Sequence, residues 1–232
     1  MSQPLWGKYE QLRPAQIAAI RARAPIAYLP WGALEWHSYH APVGLDGIKA
    51  QGLCEALAKE TGGVVLPAVY VGTDTIKPYK GFHHTMEHSA ATVTKLCLEF
   101  LDQIADEDFK VIVLITGHYG EGHVQAIQAA AEDFRARHPE VGLWAFPDSV
   151  PLEGVYPANH AARGETSFQL LFQPELVEMS TLPAERETTL EDDGVWGEDP
   201  RQASAAEGLN MLQVFLKNAL PRIRILLREH AG

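Results

Sequence analysis

Residues 110–116, with the sequence KVIVLIT, contain the most strand-like run in the chain, and their surroundings decide the predicted fold. A glycine-rich loop, GHYGEG, follows at 117–122, and the stretch HVQAIQAAAEDFRARH at 123–138 then repeats apolar residues at helical spacing. A second apolar run begins at Val141. A strand, a helix and another strand in this order predict two parallel strands joined by a crossover helix.

The same alternation recurs towards the N-terminus. The predicted elements there are a helix starting near Pro14, a strand at 25–30, a helix at 46–61 ended by two glycines, a strand at 64–71 and a helix at 89–108. Long helices between buried strands predict an α/β fold, a three-layer α/β/α arrangement with a mostly parallel central sheet. In such sheets, ligands bind outside the carboxyl ends of the strands.

The last third of the chain gives a weaker signal because prolines interrupt it. A short helix is predicted at about 166–172, and Pro200 is predicted to open a C-terminal helix that Pro221 stops or kinks. We find no linker, repeat or low-complexity tract, so residues 1–232 are expected to form a single domain.

Composition narrows the class of protein. With 46% hydrophobic and 21% charged residues, the chain has the make-up of a soluble globular protein. Its net charge of −11 disfavours nucleic acid and anionic membranes as partners. The chain shows neither a signal peptide nor a long apolar span, and its two cysteines, Cys54 and Cys97, have no CxxC spacing. We therefore expect a cytoplasmic protein with a small-molecule substrate.

The densest cluster of chemically active side chains, GALEWHSYHAPVGLD, occupies residues 32–46. It contains Glu35, His37 and His40, and Asp46 stands where the next helix begins. Carboxylates and imidazoles without thiolates suit Zn²⁺, Mn²⁺ or Fe²⁺. The alternative is structural: Asp46 caps a helix, Glu35 is a surface charge and the histidines bond to backbone. The residue types alone leave both interpretations open.

Two further clusters follow. TGHYGEGH at 116–123 places His118 at the carboxyl end of a strand, although an ordinary turn with Glu121 in the first helical turn also explains it. HAARGETS at 160–167 contains His160 and Glu165, for which helix capping and a surface salt bridge are equally good explanations.

Together, and in this order, the three segments resemble the creatininase family of metal-dependent amidohydrolases. The family pattern is roughly G-x-x-E-x-H-G-x-H-x-P-x-x-T-D, then N-G-H-x-x-N, then H-A-G-x-x-E-T-S, and the resemblance covers about residues 24–178. It implies an α/β/α fold and a binuclear metal site. Two divalent ions are expected, with Zn²⁺ as the first choice and Mn²⁺ or Fe²⁺ as alternatives.

The resemblance also implies roles for individual residues. Glu35, His37, Asp46 and His118 match metal ligands, and Asp46 is expected to bridge the two ions. His160 matches a histidine that moves protons during catalysis.

The last ligand is less certain because Gly120 stands where creatininase has a metal-binding glutamate. Glu121 and Glu165 compete for that role. We favour Glu165, as a ligand and as part of the catalytic machinery, because it belongs to the matched third motif.

Other departures from the pattern concern the pocket. Ser38 replaces a glycine, and Tyr156 falls where creatininase has a tryptophan that covers the substrate. Tyr119, Tyr156 and His40 are candidate substrate contacts.

The resemblance implies hydrolysis of a C–N bond in a small, cyclic amide by a metal-bridging hydroxide. The same site can serve a lactonase, a formamide deformylase or a peptidase, and a non-catalytic binding protein that retains the fold is a further alternative. A homo-oligomer is expected on the same resemblance, with a hexamer as its form.

Overall fold

The computed structural model describes residues 4–231, and its centre is a six-stranded sheet in which every pairing between strands is parallel. Residues 1–3 and 232, which the single-domain prediction includes, lie outside the described part. The strands are β1 (Trp6–Lys8), β2 (Ile26–Gly32), β3 (Gly63–Val65), β4 (Val69–Tyr70), β5 (Val111–Thr116) and β6 (Gly142–Pro147). Their order is β1-β3-β2-β5-β6, and β4 pairs with the carboxyl end of β2.

The helices cover both faces of this sheet, as the alternation of elements predicts. They are α1 (Pro14–Arg21), α2 (Leu45–Thr61), α3 (Ile76–Lys80), α4 (Ala90–Asp106), α5 (Glu121–Arg137), α6 (Arg163–Phe172), α7 (Leu190–Asp193) and α8 (Ala205–His230). Helices α4 and α5 contribute to one hydrophobic core, whereas α2, α6 and α8 contribute to the other. The α/β/α prediction is confirmed.

Strand β5 shows why its sequence is apolar throughout. Ile112 and Leu114 belong to the core beneath α4 and α5, and Val111, Val113 and Ile115 belong to the opposite core. Successive side chains of a strand point to opposite faces. A strand covered on both faces therefore reads as a continuous apolar run rather than an alternating one.

The sequence-based boundaries of two elements were wrong. The strand expected at 64–71 is divided into β3 and β4, with Pro67 between them, and proline cannot donate to a central strand ladder. Helix α8 begins at Ala205, with Ser204 as its N-cap, rather than at Pro200. Pro221 does not stop the helix, because Phe215, Ala219 and Ile223 are buried on both sides of the proline and keep the helix packed against the sheet. Within residues 4–231 we find no helix with the length and apolar character that membrane crossing requires.

The topology gathers polar loops at one edge of the sheet. Strands β2, β4, β5 and β6 are parallel, so the segments that leave their carboxyl ends lie side by side. The first turn of α2 reaches the same edge, because α2 follows the loop that leaves β2.

Candidate metal centre

The carboxylates and imidazoles proposed as ligands converge at this edge of the sheet. They come from the loop after β2, the first turn of α2, the end of β5 and the first turn of α6, and all are at most 5% exposed: Glu35, His37, Asp46, His118 and Glu165. Their atoms form two donor groups, each within 4.8 Å, that share Asp46. The first group is Glu35, Asp46 and His118, and the second group is His37, Asp46 and Glu165.

Each oxygen of Asp46 faces a different donor group. Its Oδ2 lies 3.5 Å from Nδ1 of His118, which is itself 2.9 Å from Oε2 of Glu35. Its Oδ1 lies 3.2 Å from Nε2 of His37, which is 3.5 Å from Oε2 of Glu165. A carboxylate in this position can bridge two cations, one on each oxygen.

Backbone carbonyls fix the orientation of both imidazoles. His118 places Nε2 3.0 Å from the carbonyl oxygen of Thr73, and His37 places Nδ1 3.0 Å from that of Glu35. Because a carbonyl only accepts, the bonded nitrogen carries the proton in each ring. In the neutral rings, the lone pairs therefore lie on His118 Nδ1 and His37 Nε2, the two atoms that face carboxylates.

The chemistry of these atoms fits a divalent cation. Oε2 of Glu35, Nε2 of His37 and Oδ2 of Asp46 are buried and make no hydrogen bond in the described structure. When the imidazoles are neutral, these carboxylate charges have no proton donor, and a metal ion is one of the usual partners of a buried charge. Oxygen and imidazole donors together suit Zn²⁺, Mn²⁺ and Fe²⁺.

In the metal-free site, the carboxylates raise the pKa values of the two imidazoles, His37 and His118. Burial opposes protonation of His37, but Asp46 and Glu165 outweigh it and raise its pKa to about 9. For His118 burial is likewise outweighed, chiefly by Glu35, and the pKa rises to about 10. Cations that bind here must displace these protons.

A network outside the donor groups fixes the position of Glu35. Oε1 of Glu35 accepts a hydrogen bond of 2.5 Å from the backbone N–H of Ile76. The preceding turn is held by Glu87, whose carboxylate accepts from the backbone N–H groups of Asp74 at 2.8 Å and Thr75 at 3.1 Å. These partners of Glu87 lie 13 and 12 residues away along the chain.

His160 stands beside the second donor group. Its ring centroid is 4.5 Å from that of His37, and its Nε2 lies 2.9 Å from the backbone carbonyl of Trp36. That carbonyl fixes Nε2 as the protonated nitrogen of the neutral ring and leaves Nδ1 with a lone pair. His160 also forms a third compact group with Glu35 and His37.

A cavity of about 370 Å³ opens onto both donor groups. Its walls include Tyr119, Asp74, Leu190 and Trp196, besides His160 and four of the donor residues, Glu35, Asp46, His118 and Glu165. Trp196 and His160 also pair through their backbones, with N···O distances of 2.8 and 2.9 Å. Asp74, Leu190 and Trp196 fall in none of the matched motifs, so no pattern in the sequence marked them as wall residues.

The structure places three other candidates away from the donor groups. Glu121 is exposed in the first turn of α5, and its Oε1 accepts from Gln125 at 3.1 Å. His40 is buried with Nε2 2.8 Å from Oγ1 of Thr166 and does not line the cavity. Tyr156 lines neighbouring cavities instead. Of the expected substrate contacts, only Tyr119 reaches the cavity wall.

Lys49 and Asp148, which fall in no matched motif, support Glu165. Lys49 is fully buried, with Nζ 2.6 Å from Oε1 of Glu165 and 3.0 Å from Oδ2 of Asp148. The available signal was spacing: Lys49 follows Asp46 by three residues in a helix and so shares its face. Burial opposes the Glu165 charge, but Lys49 and His37 lower the pKa of Glu165 to about 2.

Comparison with known proteins agrees with this arrangement. The profile of the creatininase family, described as creatinine amidohydrolase, matches residues 10–223. Creatinine amidohydrolase of Pseudomonas putida is 25% identical over 219 residues, covering 86% of this chain and 82% of the relative. A crystal structure of a creatinine amidohydrolase superposes with a TM-score of 0.76 at 21% identity, covering 96% of this chain and 97% of the other. A putative creatinine amidohydrolase from Bacteroides fragilis gives a TM-score of 0.70 at 16% identity, covering 99% and 96%. Fold, ordered motifs and profile lead to one conclusion: this chain belongs to the creatininase family.

Proposed function

We propose that this creatininase-family protein is a metal-dependent amidohydrolase that hydrolyses a C–N bond of a small amide. The observation that carries the proposal is the division of Asp46 between two donor groups, each completed by one further carboxylate and one imidazole with a fixed tautomer. Similar structures include a manganese form of creatininase and a Zn-Zn form of a glutamate-to-glutamine variant. We propose two divalent ions for this chain as well, with Zn²⁺ first and Mn²⁺ or Fe²⁺ as alternatives.

The proposed ligands follow the two donor groups. The first metal position comprises Glu35, Asp46 and His118, and the second comprises His37, Asp46 and Glu165. Glu165 takes the role of the metal-binding glutamate that creatininase has at the position of Gly120, because glycine has no side chain to bind a metal. The exposed carboxylate of Glu121, already bonded to Gln125, supports this choice.

A bound pair of divalent cations supplies an activated water nucleophile and polarises the carbonyl of the substrate. The chain supplies the proton transfers and the enclosure. His160 lines the cavity beside His37, and the carbonyl of Trp36 holds its ring so that Nδ1 can take and return a proton. Tyr119 closes the wall, with its hydroxyl oxygen 2.8 Å from Glu165 Oε1.

The size of the cavity supports a small substrate. A volume of about 370 Å³ lies near the lower limit of ordinary ligand sites. One similar structure is a variant creatininase complexed with creatine, also a small molecule. We propose a cyclic amide as the substrate class. Because the metal chemistry does not select the leaving atom, a lactone, a formamide or a short peptide is the alternative substrate.

We also propose that residues 1–232 act as one domain of a cytoplasmic homo-oligomer, with a hexamer as its form. Tyr39 and Met86 support the presence of a surface for assembly, since these apolar side chains are 53% and 58% exposed in or near the loop at residues 32–46. The ring of Trp36 stacks on that of Phe82, with 5.4 Å between the ring centroids, and this contact joins the segment that contains Tyr39 to the segment that contains Met86. Sedimentation at micromolar concentration tests this, and a clean monomer of 25.6 kDa would contradict it.

The decisive experiment measures metal content and turnover in the same samples. Protein purified without chelator should contain about two divalent ions per chain, and Asp46→Ala should lose both because each position uses this carboxylate. Metal-free and reconstituted protein are then assayed against cyclic amides, lactones, formamides and short peptides. Two metals with no turnover on any substrate would favour a binding protein. Full metal content in Asp46→Ala would remove the basis of the proposal.

A further inference from the structure

A buried cation outside the donor groups holds one oxygen of Glu165. Nζ of Lys49 lies 2.6 Å from Oε1 of Glu165, and both side chains are at most 3% exposed. The hydroxyl of Tyr119 lies 2.8 Å from the same oxygen and also contacts the backbone carbonyl of Asn159, so its single proton is shared between two acceptors. The ring of Tyr119 also lies beneath Nζ, 4.7 Å from ring centroid to nitrogen. Two groups, the ammonium of Lys49 and the hydroxyl of Tyr119, therefore face one carboxylate oxygen.

The second oxygen of Glu165, Oε2, can accept one more bond than it makes within the described structure. Its Oε2 accepts one hydrogen bond, from the backbone N–H of Ala161 at 2.8 Å, and lies 3.5 Å from Nε2 of His37. A carboxylate oxygen can accept twice. Glu165 is thus held with Oε1 fully engaged and Oε2 directed at His37.

Helix α2 places this cation and the shared carboxylate on the same rigid element. Asp46 and Lys49 are three residues apart in the helix, so their side chains lie on one face. Lys49 reaches from α2 to Glu165 at the start of α6, across 116 residues of sequence. The contact fixes the separation between Asp46 and Glu165, both of which belong to the second metal position.

We propose that Lys49 is a positioning residue for the second metal position, which holds Glu165 as a one-oxygen ligand opposite His37. The proposal rests on the proposed function, because it requires a cation between Asp46, His37 and Glu165. Lys49 has two effects of opposite sign. Its charge repels a cation, whereas its hydrogen bond orders a ligand for that cation. Positioning predicts that loss of Lys49 weakens metal binding, and simple charge repulsion predicts that it strengthens binding.

The test uses a variant that removes the buried lysine without leaving its other partner charged. In Lys49→Met with Asp148→Asn, the cation and its second carboxylate are both replaced by uncharged side chains of similar size. Asp148→Asn alone is the matched control, because it keeps the contact between Lys49 and Glu165. Tyr119→Phe is a milder second variant that removes the hydroxyl beside Oε1, together with its hydrogen bond to the carbonyl of Asn159.

The readout is the Zn²⁺ dissociation constant of each position, measured by chelator competition on metal-free protein, with Glu165→Gln identifying the second position. We expect the double variant to weaken the second constant by about 10- to 100-fold and to leave the first unchanged. Tyr119→Phe should weaken the same constant by a smaller factor, and Asp148→Asn should leave it unchanged. Thermal unfolding of the metal-free proteins checks that the variants fold.

An unchanged or tighter second constant in the double variant would overturn the proposal, as would an equal loss in Asp148→Asn alone. If the double variant does not fold, Tyr119→Phe decides, and an unchanged second constant there overturns the proposal as well. Failure of the proposed function looks different: the unmodified protein itself would then bind fewer than two ions.

Discussion

Gly117 lies directly against the backbone of Asp46: a Cβ at residue 117 would stand 2.1 Å from the Asp46 carbonyl oxygen. Real Cβ atoms never come so close to an oxygen, so only glycine fits here. Residue 117 follows β5 and Asp46 begins α2, and this contact therefore sets the distance between strand and helix. His118 comes next in the chain and meets Asp46 across that gap.

Gly117→Ala is expected to damage the metal centre through the backbone. The added methyl group must push α2 away from β5 and carry Asp46 with it, at a cost of about 1–3 kcal/mol in the free energy of unfolding. Metal analysis and thermal unfolding check this. A variant with full metal content and unchanged stability would show that the two elements can separate without moving Asp46.

Glu165→Gln and Glu121→Gln separate the two candidates for the last ligand. Glu165 belongs to the second donor group, whereas Glu121 is exposed and bonded to Gln125. We expect Glu165→Gln to retain about one ion per chain and lose turnover, and Glu121→Gln to behave as the unmodified protein. Metal stoichiometry and turnover decide between them. Loss of one ion from the Glu121 variant alone would reverse the assignment.

His160→Gln distinguishes a proton carrier from a ligand. If His160 moves protons, the variant should keep both ions while kcat falls by about 10²- to 10⁴-fold. If its group with Glu35 and His37 holds metal instead, the ion content should fall with the activity. Parallel metal analysis and kinetics of one preparation provide the answer.

The stability of the metal-free protein should depend on pH because of two histidines. Buried His37 and His118 have pKa values raised to about 9 and 10 by carboxylates, against about 6.5 for an unfolded histidine. The native state therefore binds protons more tightly, and this stabilisation is full below pH 6.5 and is lost as pH rises through 9 to 10.

Denaturant unfolding in the presence of a chelator measures this effect. The free energy of unfolding should fall between pH 6.5 and 9, and the fall should be smaller in Asp46→Asn, which removes a carboxylate from both imidazoles. Metal-loaded protein should lack this dependence, because the ions replace the protons. A flat profile for the chelated protein would mean that the histidines are neutral there.

Ser38→Gly should stabilise the protein. Ser38 has a backbone φ of 59°, in the left-handed region, and its buried Oγ has no hydrogen-bond partner. Relief of the strain is expected to contribute about 1 kcal/mol and to raise Tm by about 2–4 °C. Ser38→Ala is the matched control, since it removes the hydroxyl but keeps the Cβ. Equal gains in both variants would assign the effect to the hydroxyl rather than to the backbone.

Local patterns predicted most of the sheet and indicated the segments that carry the first donor group, whereas the ligand roles of single residues came from the family resemblance. The run 111–116 identified β5 because both of its faces are buried, and the glycines after it marked the loop that carries His118. Glu35 and Asp46 were found because a short loop after a strand and the first turn of a helix are both visible in sequence. These features depend on neighbours within about fifteen residues.

Long-range contacts escaped prediction for the complementary reason. The bond from Lys49 to Glu165 spans 116 residues, and the Trp36 carbonyl meets His160 across 124. No periodicity records which helix face meets which loop. The choice between Glu121 and Glu165 accordingly stayed open in the sequence, and the sequence did not show that His40 and Tyr156 lie outside the wall of this cavity.

The bonds that hold the imidazoles have a consequence for how this protein can change. The acceptors for His37, His118 and His160 are main-chain carbonyls. No substitution at the residues that supply them, Glu35, Thr73 and Trp36, removes these oxygens. The side chains of Leu190 and Trp196, by contrast, come from segments that supply no donor atom. Randomising residues 190 and 196 should therefore change the substrate preference and leave the metal ligands in place. This makes the chain a suitable starting point for directed evolution of new hydrolases.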